Sequence, residues 1–290
     1  MFERILIATD LSDASAQMIK CLGPLRTHGA REAIILYCLN AYAPEPLTAD
    51  MLKLVQPKLD RQAALAREGG FEARVEAAIG SPAREIHRFA ETRDVSLIVI
   101  GSHGHSLAYQ GVFGSTACAI LHGARRPLLI MRFRQVERDG RGINEVVPFE
   151  PTHHLLYATD FSDNAEHAFG YVRELVRSGG KRVTLVHVQD RTRIGKHLEH
   201  KLAEFNQIDT ARLERLKEQL TEDGAEEVTL ELPYGAPAGE IVRLTRERQA
   251  SIVVMGCQGR GFMAEVFLGS VSHNVAHNAP APLLLIPAIR

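Results

Sequence analysis

Two short glycine motifs hold the residue types from which an anion site can be built. Gly256 and Gly259 are followed, after nine residues, by Gly269 and Ser270, with Val271 opening a helical pattern and Ser272 one step inside it. The same spacing occurs 155 positions earlier as Gly101, Gly104, Gly114 and Ser115. Glycine lacks Cβ, so backbone N–H groups at such positions can approach an anion closely and adopt positive φ where needed. A helix that starts at Gly-Ser turns its unpaired N–H groups and its dipole toward a phosphate, and the serine hydroxyl is a further donor. A second pair of residues accompanies the loops. Asp10 and Asp160 each follow an apolar run, in Thr9-Asp10 and Thr159-Asp160. A carboxylate repels phosphate, so its part in such a site is to accept hydrogen bonds from a ribose hydroxyl or from the adenine side. Taken singly, an aspartate here is as readily a helix cap and a glycine loop is turn chemistry. Their joint recurrence is what favours a nucleotide.

The elements that must position these residues alternate. Residues 4–9 are continuous, apolar and β-branched, as a buried parallel strand should be. Ser12 or Asp13 can cap a helix over 14–27, ended by Gly29. A strand over 33–39, a helix over 47–68, a strand over 71–79 and a helix over 83–93 follow. The strand 95–100 leads into the first glycine loop, and a helix over 116–123 and a strand over 127–133 complete the pattern. Strands alternating with helices imply a parallel sheet covered on both faces. Ligands then bind outside the carboxyl ends of the strands, where the strand order changes direction. Placing the first and fourth strands at the centre brings Asp10 to the 101–115 loop and Asp160 to the 256–270 loop.

The chain says this twice. Leu156 to Asp163 answers Leu6 to Asp13 at an offset of 150, and Gly235-Ala236-Pro237 answers Gly80-Ser81-Pro82 at 155. A tandem duplication of one α/β domain follows: a first domain over 1–134, a charged, glycine-containing linker over 135–152, and a second domain over 153–290.

Composition excludes several classes. With 45% hydrophobic residues, 24% charged residues and a formal net charge of -1, the 290-residue chain is globular and has no global attraction to nucleic acid or anionic membrane. No apolar run approaches the roughly 20 residues that span a bilayer. The charged amino terminus is unlike a signal peptide, and four scattered cysteines fit a reducing compartment. A cytoplasmic protein is expected.

The glycine spacing with Asp after the first strand, together with Thr159-Asp160-Phe161-Ser162 and Gly269-Ser270-Val271-Ser272, resembles the nucleotide-binding branch of the universal stress protein family. The likeness covers nearly the whole chain, as two family domains in tandem. It implies a five-stranded parallel sheet of the adenine nucleotide alpha hydrolase-like type, with ATP lying across the strand ends. It further implies adenine recognition by Asp10 or Asp160 and by the end of the second strand, Cys38 or Val188. Ribose and phosphate contacts would fall on Gly101, Gly104, Gly114 and Ser115, or on Gly256, Gly259, Gly269 and Ser270. Edge strands join subunits in this family, so the two halves are expected to pair as a pseudo-dimer, with a homodimer of the whole chain as a further option. Arg260 stands where the first copy has His105, and Ser272 where it has Ala117. The second copy is therefore expected to be the stronger ATP site.

Other chemistries find less support. The thirteen histidines include His273 and His277, His197 and His200, and His103 and His105, but zinc needs three or four converging ligands. Mg²⁺ arriving with ATP phosphates is the metal expected. Cys257 lies in the second loop, as an inert small residue or a redox-sensitive thiol. A P-loop lysine and a kinase set are both missing, so hydrolysis is expected to be slow at most. The opposing reading is a scaffold or carrier whose vestigial sites take another small ligand or a metal.

Overall fold

The computed structural model describes residues 1–39, 45–102, 114–138, 141–259 and 268–288. The chain divides into two compact units, Met1–Phe149 and Glu150–Arg290.

In the first unit the elements run β1 (Arg4–Thr9), α1 (Asp13–Lys20), β2 (Glu32–Leu39), α2 (Glu45–Glu68), β3 (Glu72–Ile79), α3 (Pro82–Thr92), β4 (Leu97–Gly101), α4 (Ser115–Gly123) and β5 (Leu128–Met131). Its five parallel strands lie in the order β5-β4-β1-β2-β3. Right-handed crossovers put α1 and α2 on one face. The chain then returns past β1, which puts α3 and α4 on the other, and within each pair the helices touch. The apolar runs read as strands are buried on both sides: Ile5, Leu6, Ile7, Ile34, Ile35, Leu97, Ile98 and Val99 have no exposed surface. Strand order reverses between β1 and β4, so a crevice opens beyond Thr9 and Gly101.

Two stretches depart from expectation. The first helix ends at Lys20 instead of Thr27, because Gly23 and Pro24 follow, and the chain continues as a 3-10 turn over Gly23–His28. The expected linker carries an antiparallel hairpin, β6 (Phe133–Arg138) with β7 (Arg141–Val146). Its charges hide cross-strand partners: Phe133 faces Val146, and Arg134 faces Glu145, to which its Nε and Nη2 donate at 3.0 and 2.8 Å. Val146 and Phe149 are buried, and β7 packs on α1. The stretch therefore belongs to the first unit.

The second unit repeats the plan with β8 (Leu155–Ala158), α5 (Asp163–Arg177), β9 (Arg182–Val186), β10 (Gln189–Asp190), α6 (Arg191–Leu198), α7 (Leu202–Glu222), β11 (Glu227–Glu231), β12 (Tyr234–Gly235), α8 (Pro237–Glu247), β13 (Ile252–Gly256), α9 (Ser270–Asn278) and β14 (Leu283–Ile286). Its sheet order is β14-β13-β8-β9-β11, again all parallel, and β10 pairs with β12 as a separate two-stranded ladder beyond it. Among the described residues no helix is long and apolar enough to cross a membrane.

Candidate functional site

Each central strand ends in the same turn. After β1, Leu11 takes φ 63°, and after β8, Phe161 takes φ 58°. Left-handed backbone is costly for such side chains, and three local hydrogen bonds hold it. The Leu11 and Phe161 amides donate to Thr9 Oγ1 and Thr159 Oγ1, both at 2.9 Å. The Ser12 and Ser162 amides and hydroxyls both donate to Oδ1 of Asp10 and Asp160, the hydroxyls at 2.6 Å. Each serine oxygen then caps its helix by accepting from Ser15 N or Ala165 N. The aspartate is thus oriented by its own turn: Oδ1 is committed to the serine, which aims Oδ2 away from it.

In the first unit this turn forms one wall of a cavity of about 540 Å³ at the carboxyl ends of β1, β2 and β4. Asp10, Tyr37 and Cys38 line it, together with Gly101, Gly114 and Ser115. The amide of Gly114 donates to Ser102 O at 3.0 Å, which closes the loop and aims the start of α4 at the cavity. Leu36, Ile86, Ile100 and Ile120 make an apolar floor. Polar groups at the rim over an apolar base, in a volume within the usual range for ligand sites, suit a small molecule with a flat apolar body and an anionic tail. Burial, with the Asp10 carboxylate adding to it, pushes the Tyr37 phenol up, so it is a neutral donor here. Burial pushes the Cys38 thiol up to about 12, which leaves it an unreactive wall residue.

In the second unit Asp160 and the glycine loop meet directly. A Cβ on Gly259 would lie 2.5 Å from Asp160 Oδ2, and one on Gly256 would lie 2.7 Å from Asn164 Nδ2. At either place a side chain would displace the carboxylate or amide that sits there. Asn164 Nδ2 donates to Gln258 O at 3.1 Å, which ties α5 to the loop. The Gly269 amide and the Ser272 hydroxyl both donate to Cys257 O at 2.7 Å. Ser272 is buried, so its hydroxyl shapes the loop instead of facing a ligand as expected. Ser270 and Val271 form the first turn of α9. Val188 is buried just beyond β9, beside His187, whose Nδ1 lies 2.8 Å from Thr159 O. The His187 ring stacks on Phe161 at 4.5 Å, and Arg212 of α7 lies 5.3 Å over the Phe161 ring. Gln189 Nε2 donates to Asp209 Oδ2 at 3.1 Å.

Of the residues expected from sequence, Asp10, Cys38, Gly101, Gly114 and Ser115 come together in the first unit. In the second, Gly259 lies against Asp160, Gly256 against Asn164, and Gly269 against Cys257 and Gln258. Gly104, Arg260, His103 and His105 lie outside the described residues. Cys257 is buried, with its thiol pushed up to about 12, and so is inert. His273 and His277 stack ring on ring at 4.5 Å. Asn164, Tyr37 and Phe133 were not anticipated. Asn164 aligns with Ala14, so the duplication gave no signal for it.

A model of the universal stress protein family matches residues 1–132 and again 151–287. A universal stress protein of Methanocaldococcus jannaschii is 30% identical over 151 residues, 46% of this chain and 93% of that protein. One of Thermus aquaticus is 30% identical over 136 residues, 46% of this chain and 96% of the relative. A solved universal stress protein from Archaeoglobus fulgidus shares the fold, with a TM-score of 0.74 at 24% identity over 98% of this chain and 95% of that one.

Proposed function

Since this chain belongs to the universal stress protein family, with one family domain in each half, we propose that it is a regulatory protein whose ligand is an adenine nucleotide. The observation that carries the reading is the first-unit cavity, whose lining joins Asp10 and the end of β2 with Gly101, Gly114 and Ser115. The base and ribose would lie toward Asp10, Tyr37 and Cys38. The phosphates would lie toward the amino end of α4, where N–H groups and the helix dipole favour negative charge. Mg²⁺ would travel with the phosphates, since it needs few protein ligands of its own.

The second unit is assigned the same polarity, with Asp160 and Val188 at the base end and Gly256, Gly259, Arg260, Gly269 and Ser270 at the phosphate end. The sequence favoured this unit as the stronger site; the described cavity supports the first as a full site alongside it. ATP acts here as a ligand with at most slow turnover, because the sequence carries neither a P-loop lysine nor a kinase set. Cytoplasmic placement and an intramolecular pair of the two domains complete the reading.

The test is calorimetric and thermal. The intact chain with millimolar ATP should melt higher, by the roughly 2.7 kcal/mol that a ligand at a hundred times its Kd contributes. Asp10→Ala should reduce that shift. Protein that carries no nucleotide after purification and shows no thermal shift with millimolar ATP would sink the proposal.

A further inference from the structure

The two units differ in one wall. β5 ends at Met131 beside Gly101, and two residues on Phe133 lines the first-unit cavity. In the second unit the place answering Phe133, counted from the proline before each last strand, is Ala288. Phe133 is also the first residue of β6, so the hairpin and the cavity share a side chain. The base of that hairpin is anchored three times. Phe133 pairs with Val146, Arg134 pairs with Glu145, and the Val147 amide donates to Arg132 O at 2.8 Å. Its second strand rests on α1, whose Ser15 and Met18 line the same cavity. An isolated two-stranded hairpin is marginal in water, so its order depends on what its base packs against.

We propose that Phe133 is a ligand-contacting residue of the first site alone, and that filling this site tightens the β6–β7 hairpin. This rests on the nucleotide reading for the identity of the ligand. An aromatic face beside the cavity supplies rigid contact area to a nucleotide at little entropic cost. The ring is held only in part by protein, being half-buried, and a ligand would cover more of it. Ordering Phe133 orders the Phe133–Val146 pair, and through it the strand on α1. Occupancy would then be displayed on the surface of the first unit.

The experiment uses the full chain. ATP affinity is measured calorimetrically for the wild type, Phe133→Ala and Phe133→Leu, and amide exchange over residues 133–146 is followed with and without ATP. Phe133→Ala should weaken one site about fivefold to tenfold, Phe133→Leu should recover part of the loss, and ATP should slow exchange in the wild-type hairpin. The exchange measurement needs no substitution, so it decides even if Phe133→Ala folds poorly. A wild type that binds ATP with unchanged hairpin exchange, and with Phe133→Ala within twofold, overturns this inference and leaves the nucleotide reading standing. A wild type that binds no ATP overturns both.

Discussion

A carboxylate repels the phosphate that a glycine loop attracts, yet Asp160 and Gly259 lie against each other. Asp160 Oδ1 is spent on Ser162, and Oδ2 faces the space that a Cβ on Gly259 would take. In the proposed site the strand-end turn therefore supplies a hydrogen-bond acceptor, and the amino end of α9 is left for anions. Gly259→Ala puts a methyl group 2.5 Å from Asp160 Oδ2, so either the carboxylate or the loop must move. Nucleotide affinity of the second unit should fall about tenfold, equal to about 1.4 kcal/mol, with a smaller change in the melting temperature of the free protein. Titration calorimetry that finds two unaltered sites would show that the contact does not matter to the ligand. The glycine spacing was legible because close approach of a side chain to the backbone, as at Gly259, favours glycine. Asn164 and Ser272 were not legible as loop anchors, since a polar residue in a first helical turn looks the same whether it faces solvent, a carbonyl or a ligand.

At the scale of elements, strands were read closely because a buried parallel strand is a bare apolar run with sharp ends. Helix ends were harder. The stretch 14–27 has helical spacing throughout, but Gly23 and Pro24 convert its second half into a 3-10 turn that ends by burying His28. Neither ring nitrogen of His28 finds a hydrogen-bond partner. Burial, with the amino-terminal ammonium adding to it, pushes its pKa down to about 4. Burial likewise lowers His87, His154 and His167. For each, the unfolded chain binds a proton that the fold refuses, so stability is full above the unfolded value near 6.5 and is lost as pH falls toward the folded value. For His28 the loss approaches about 3 kcal/mol near pH 4 as an upper bound. Urea unfolding at pH 7 and pH 5 should give a lower midpoint at pH 5, and His28→Leu should narrow the gap. An equal gap in that variant would assign the pH dependence to other groups.

For the whole molecule, the duplication was the strongest signal in the chain, because offsets held over many elements cannot arise from local propensity. It located both sheets and the first-unit crevice. It located the domain boundary less well, since residues 135–152 have no counterpart in the other copy and their glycines and charges resemble a linker. Glu145 turns out to be the cross-strand partner of Arg134, and the apolar Val146 and Phe149 that follow it are buried in the first unit. A cut at 134 would strip that cover from α1 and expose Phe133, whereas a cut between Phe149 and Glu150 follows the compact unit. Burying two such side chains contributes about 1.5–3 kcal/mol each, which is a large share of a small domain's stability. A fragment over 1–149 should therefore unfold cooperatively and at least about 5 °C higher than one over 1–134. Calorimetric scans of the two fragments decide it. Equal melting temperatures would mean that the hairpin and the residues after it add nothing to the first unit, and would return 135–152 to the status of a linker.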